Sequence, residues 1–198
     1  MKKLLLFSLV AFSLAACGDK AAQTVEAQEQ LSKKDVVVEN TLNRRSIRKY
    51  KPEQVSKNQL DTIMQCAINA PSANNKQPWE VRIIQNAELL GKIKEINARA
   101  FYDAPTLIVI AADKNNAFAQ SDCGMLAQNI LLSAEAMDLG TCVLGGVGRM
   151  LKEPKAEEIF KALEFSEGYE VMYGICLGYK DESPDAKPRE TGNVKYID

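Results

Sequence analysis

Thr106-Leu107-Ile108-Val109-Ile110-Ala111 is an unbroken apolar run of strand length. A strand with one wet face alternates polar and apolar side chains, so a run without alternation marks a strand covered on both faces. The chain has 198 residues and is 46% apolar, enough for one globular core and too little for two comfortable domains. The fold must therefore set layers on either side of this strand. Ser56-x-x-Gln59 reads as a capping box, with Leu60, Ile63, Met64 and Ala67 following at helical spacing until Pro71 stops the helix. Trp79 to Ile83 alternates like a half-buried strand, and Leu89, Leu90, Ile93 and Ile96 mark another amphipathic helix. Ser121 or Asp122 caps a long helix that reaches Leu139 and ends at Gly140. That helix is apolar nearly all round, which marks it as central and buried. Cys142 to Leu144 and Val171 to Leu177 read as strands, with a helix around Lys155 to Leu163 between them. Helices and strands mix without strict alternation, which favours an α+β class over a doubly wound one.

The N-terminus has the order of an export signal. Lys2 and Lys3 precede an apolar run from Leu4 to Ser13 that is too short to cross a bilayer, and Leu14-Ala15-Ala16-Cys17 resembles the bacterial lipobox. The expected organisation is a lipoprotein signal peptide over 1–16, acylation of Cys17, a polar tether over 17–34 and a folded domain over 35–198. The expected location is outside the cytoplasm, lipid-anchored to a bacterial membrane. The alternative is a plain secretory signal with a chance cysteine. Lys+Arg 25 against Asp+Glu 26 leaves no basic face for nucleic acid.

Histidine is absent, which excludes histidine triads, histidine-ligated zinc and histidine acid–base work. Cys66, Cys123, Cys142 and Cys176 form no C-x-x-C pair, and they read as buried small hydrophobes rather than a disulfide framework or metal site. Four other clusters carry possible chemistry. Arg44-Arg45-Ser46-Ile47-Arg48-Lys49-Tyr50 is either a phosphate cradle or a solvated basic run. Ala70 to Trp79 is an amide-rich loop that fits a heterocycle edge, or an ordinary turn. Gly140 to Gly148 offers close backbone approach to a ligand, but without the G-x-G-x-x-G of a dinucleotide site. Lys187-Pro188-Arg189 is a basic pair in a proline-rich tail.

In combination and in order, these clusters resemble the nitroreductase family of FMN-dependent oxidoreductases. The resemblance runs from about Val37 to Ile197. It is carried by Arg44-Arg45-Ser46-x-Arg48, Pro71-Ser72-x-x-Asn75-x-Gln77-Pro78-Trp79, Leu144-Gly145-Gly146 and Lys187-Pro188-Arg189. It implies a central mixed or antiparallel sheet flanked by helices, in an intertwined homodimer with FMN at the interface. It also implies that Arg44, Arg45, Ser46 and Arg48 hold the FMN phosphate and ribityl chain, with Lys187 and Arg189 closing over the phosphate. Ser72 and Asn75 would then sit near the ring, and backbone groups of Leu144, Gly145 and Gly146 would face it. Asn97 matches a ring-contacting asparagine loosely, and Asn193 to Ile197 is the strand such a protein lends to its partner. Two departures are Ala73, where many members have a second serine, and the short stretch between Ile110 and Asp122, which leaves little room for lid helices.

The resemblance implies hydride transfer through bound FMN from a small donor to a small acceptor such as a nitroaromatic or quinone, with no catalytic side chain assigned. Export would separate the domain from cytoplasmic NAD(P)H, so the expectation is FMN uptake after export and reductant from a membrane carrier or another reduced flavin. The competing readings are a non-catalytic lipoprotein that binds or stores flavin, and a surface lipoprotein with no cofactor.

Overall fold

The computed structural model describes residues 36–97 and 99–197. The expected signal, lipidation site Cys17 and tether lie outside the described residues. Residues 36–43 are helical (α1), with the Thr41 hydroxyl donating to the Val37 carbonyl at 2.7 Å. The compact unit that carries the sheet begins at Asn43 and is described by itself below.

Its frame is a four-stranded antiparallel sheet in the order β1-β2-β4-β3, formed by Trp79–Ile84 (β1), Thr106–Asp113 (β2), Leu139–Leu144 (β3) and Tyr169–Tyr179 (β4). As the apolar run required, β2 is central and buried on both faces, with Leu107 to Ala111 fully excluded from solvent. Its alternate residues feed two separate cores. Ile108, Ile110 and Ala112 pack with α2 (Lys57–Ile68) and α4 (Ala119–Glu135) through Ile63, Leu126 and Ile130. Leu107, Val109 and Ala111 pack on the other side with α3 (Ala87–Ile96), the short α5 (Val147–Met150) and α6 (Glu157–Ala162). The class is α+β, and the sheet is antiparallel throughout.

The local signals hold at α2, where Ser56 and Gln59 form both halves of the capping box. They mislead at α4. The helix starts at Ala119 and ends at Glu135, so Ser121 and Asp122 lie in its first turn rather than at its cap. Asp122 is instead buried and accepts the backbone N–H of Ala73 at 3.1 Å. A tertiary contact has taken the carboxylate that sequence assigned to the helix end. The chain turns at Asp138, whose φ is 58°, and β3 begins at Leu139. In the single chain α4 is buried on one side only; Gly124, Met125 and Gln128 are exposed. Of the four cysteines, Cys123, Cys142 and Cys176 are buried as expected, whereas Cys66 is exposed, and all four are free.

Gly140 belongs to β3 and does not cap a helix. It faces Gly178 across the ladder, and this bare pair receives the segment that runs from Ser46 to Tyr50. A Cβ on Gly140 would sit 2.8 Å from the Cβ of Ile47, and one on Gly178 would sit 2.7 Å from Pro105 and 3.1 Å from Tyr50. Gly140→Ala should therefore lower stability by about 1–3 kcal/mol through overpacking. Gly91→Ala, on an exposed helical position with nothing within 4 Å, should raise it by about 0.5–1 kcal/mol. Urea midpoints of the two variants should move in opposite directions.

Candidate functional site

The arginine-rich segment is laid along the outer edge of β3. Ser46 bridges Thr141 in parallel, and the Ile47 N–H donates to the Thr141 carbonyl at 2.9 Å. Further on, Lys51 N–H donates to Tyr179 and Asp181 N–H donates to Lys49. Ile47 is only 2% exposed and acts as the anchor. With Ile47 turned inward, Arg44, Arg45, Ser46 and Arg48 are left partly or fully open to solvent.

The tail after β4 returns to the same place. Arg44, Arg45, Ser46 and Arg48 share a small cavity of about 100 Å³ with Pro184, Asp185, Lys187 and Arg189. Five cations, from segments more than 130 residues apart in sequence, thus converge around one hydroxyl. Such an array has the charge and the donor count for a dianionic phosphate. Glu182 accepts the Arg48 backbone N–H and holds the two segments together. Arg48 is held above the ordinary guanidinium range, chiefly through its interaction with nearby Cys142 and a hydrogen bond with Tyr102.

Arg48 also connects this cavity to a second one. Its guanidinium carbon lies 5.9 Å from the centre of the Tyr102 ring. Tyr102 lines a cavity of about 310 Å³ together with Asn97, Arg99, Val143, Leu144, Gly145, Gly146 and Met150. The glycine-containing turn after β3 therefore lies next to the cationic cluster, and neither Gly145 nor Gly146 has anything within 4 Å of where a Cβ would be. Sequence reasoning missed Arg99 and Tyr102. Their only sign was a cation and an aromatic ring in the connection between α3 and β2, and Tyr102 takes a left-handed φ of 53° that no local pattern announces.

Ser72 and Asn75 lie elsewhere. Their loop is shaped by three left-handed residues, Asn74, Asn75 and Gln77, and by the bond from Gln77 N–H to Ser72 Oγ at 3.0 Å. The side chain of Gln77 donates to Asn75 Oδ1 at 3.3 Å. The loop enters β1, whereas the arginine segment lies on β3, at the opposite edge of the sheet. Three strand spacings separate the edges by about 14 Å. Trp79 stands level with Ala112, while Thr141 stands level, through Leu177, with Thr106. That offset along the strands adds roughly 20 Å. One chain therefore joins the cationic cluster to the glycine turn and keeps the amide loop far from the cations, whereas Leu144, level with Arg82, leaves the glycine turn separated from the start of β1 chiefly by the width of the sheet. The segment after Asn193 forms no ladder in the single chain, and Val194, Tyr196 and Ile197 are 68%, 85% and 82% exposed. A further cavity of about 440 Å³, between α5, α6 and the start of β4, includes Gly148 from the glycine-rich segment but none of the residues expected to hold the cofactor.

Residues 41–99 and 91–179 match the model of the Nitroreductase family. A candidate NADH dehydrogenase/NAD(P)H nitroreductase of Methanothermobacter thermautotrophicus is 35% identical over 170 residues, which cover 83% of this chain and 87% of the relative. The NADPH-flavin oxidoreductase of Vibrio harveyi is 28% identical over 175 residues, 79% of this chain and 71% of that protein. Among solved structures, a nitroreductase with bound FMN from Desulfitobacterium hafniense is similar with a TM-score of 0.75 at 28% identity, covering 82% of this chain and 98% of that one.

Asp122 fixes the amide loop, so Asp122→Ala should cost about 1–3 kcal/mol by leaving the Ala73 N–H without its acceptor. Asp122→Asn, which keeps an acceptor oxygen, should cost less. Urea unfolding gives the size of the effect, and faster hydrogen exchange at Ala73 in the alanine variant locates it.

Proposed function

The chain belongs to the nitroreductase family and is an FMN oxidoreductase, and on that premise we propose that each FMN is shared by two copies of the chain. The observation that carries this reading is the convergence of Arg44, Arg45, Ser46 and Arg48 with Lys187 and Arg189 on one small cavity. These residues fit a phosphate dianion, and they would hold that end of the cofactor. The adjoining cavity at Leu144, Gly145 and Gly146 would take the ring, with bare backbone on one side and Asn97, Arg99 and Tyr102 around it. Ser72 and Asn75 would meet the ring from a second copy, a reading supported by their place before β1, across the width of the sheet from the glycine turn. The exposed side of α4 and the unpaired apolar tail from Val194 to Ile197 supply surface for a homodimer.

Bound FMN supplies two-electron transfer between a donor and an acceptor that use its open face in turn. The protein's part is to position, to screen and to exclude water. Its cations balance the phosphate charge, and the turn at Gly145 and Gly146 permits close backbone approach to the ring. Without histidine, no side chain is assigned as a proton donor. Nitroaromatics or quinones are the proposed acceptors. The relatives' names point to NAD(P)H as donor, whereas acylation at Cys17 and export would favour a membrane carrier or a reduced flavin. Stopped-flow reduction by each donor decides between them. It also tests the storage reading, which calls for slow and unselective reduction by all.

The site assignment has its own test. FMN titrated into the purified protein should be retained near one per subunit, with flavin absorption bands and a sedimentation coefficient of a dimer. Arg44→Ala and Arg48→Ala should each raise the FMN dissociation constant by about tenfold or more, since each removes a charge-assisted bond of about 1.5–3 kcal/mol. Normal FMN affinity in the double variant would show the phosphate site to be elsewhere.

A further inference from the structure

We propose that Cys142 and Cys176 are a redox-active pair that closes into a reversible disulfide across β3 and β4, beside the cationic cavity. The two residues are direct partners in the antiparallel ladder, so their side chains leave the sheet on the same face. Both belong to the core cluster with Leu107 and Val109, and they are 3% and 0% exposed. Neither has another cysteine on its side of the sheet among the described residues. Cys123 lies in the opposite core and Cys66 is exposed on α2.

The phase of the ladder sets their spacing. The Thr141 carbonyl is turned outward to the Ile47 N–H, so Cys142, one residue on, turns its backbone groups inward to β4. Cys142 and Cys176 therefore form a hydrogen-bonded pair, whose Cα atoms stand about 5.5 Å apart. Disulfides accept Cα separations of about 4.4–6.8 Å, but they need Cβ atoms within about 3.5–4.5 Å. Directly opposed strand residues hold them at about 4.5–5.5 Å. Bond formation thus requires a small tightening of β3 against β4, which makes the crosslink strained and readily reduced.

The surroundings give the two sulfurs different parts. Burial pushes both thiols up, and Cys176 goes the further; Arg48 and Arg44 pull Cys142 back, aided by a hydrogen bond with Ser46. Cys176 donates to the Phe101 carbonyl at 2.9 Å, while the nearby Tyr50 hydroxyl donates to the Ile47 carbonyl. Tyr50 and the Glu182 carboxylate complete the groups that face the pair. Cys142 is therefore the attacking sulfur. With hydrogen peroxide as oxidant, its thiolate displaces hydroxide from a peroxide oxygen and becomes a sulfenic acid. The Cys176 sulfur then attacks Cys142, and the sulfenic oxygen leaves as water with the Cys176 proton. In all, two thiols and one peroxide give one disulfide and two waters. Closure also draws in Thr141, which holds Ile47 and the arginine segment. This last coupling rests on the FMN reading; the crosslink does not.

Full-length protein treated with hydrogen peroxide, then denatured, alkylated and digested, tests the pair. The expected product joins the Cys142 and Cys176 peptides, is two hydrogens lighter than their sum and separates with dithiothreitol, while Cys66 and Cys123 remain alkylated. Full alkylation at Cys142 and Cys176, or pairing of either through Cys66 or Cys123, would overturn the proposal. Cys142→Ser and Cys176→Ser should each abolish the joined peptide, and the wild-type map stands by itself if a variant fails to fold. Oxidised protein should also retain FMN several-fold less tightly than reduced protein. Equal retention would overturn the coupling to the arginine segment, whereas loss of FMN binding in the reduced protein as well would strike the FMN reading.

Discussion

The docking of residues 46–51 onto the paired glycines of β3 and β4 is the contact on which the rest of the site depends. Gly140 and Gly178 leave a shallow trough that any side chain would fill, and Ile47 and Tyr50 occupy it. Three backbone bonds, at Thr141, Tyr179 and Lys49, fix the register of the segment. With the apolar residues turned down, the cations have only outward directions left. An array of like charges repels itself, and it holds together here because the backbone beneath is fastened independently of the side chains above.

The sheet explains where chemistry can sit. Because β2 is sealed on both faces, the middle of the sheet is structural, and ligand-facing groups are left to the edges and turns. The cations and the Gly145–Gly146 turn gather at the β3 edge, while the strained amide loop sits beyond the β1 edge. Under the proposed shared site, a molecule with a phosphate at one end and a flat heterocycle at the other would meet both kinds of group where two chains abut, and dimerisation and cofactor binding would become one problem of assembly.

Much of this architecture was legible locally. The unbroken apolar run identified the central strand, and Ser56 with Gln59 marked the start of α2, because these signals depend on neighbours a few residues away. Asp122 was misread because its partner, Ala73, is 49 residues distant, and a free carboxylate near a helix start resembles a cap. Gly140 was misread for the same kind of reason: its meaning comes from Ile47 pressing on it, which no window of β3 contains. The arginine segment is ambiguous alone, because Lys187 and Arg189, which share its cavity, lie more than 130 residues away in sequence. Arg99 and Tyr102 carried no pattern at all, since a left-handed tyrosine in a connection becomes intelligible only when Arg48 lies over its ring.

The return of the tail to the arginine segment bears on how the molecule reaches its finished form. Contacts between distant parts of a chain are entropically slow to make, and those spanning nearly the whole sequence come last. All four strands end by Tyr179, so a sheet can be complete while half of the cationic pocket is still missing. If the pocket takes the phosphate as proposed, anion affinity would depend on the segment around Lys187 and Arg189, and a nascent or clipped chain that ends before Lys187 would keep its sheet yet lose that part of the pocket. An occupant of the pocket would tie residues 44–48 to residues 184–189 in a single event.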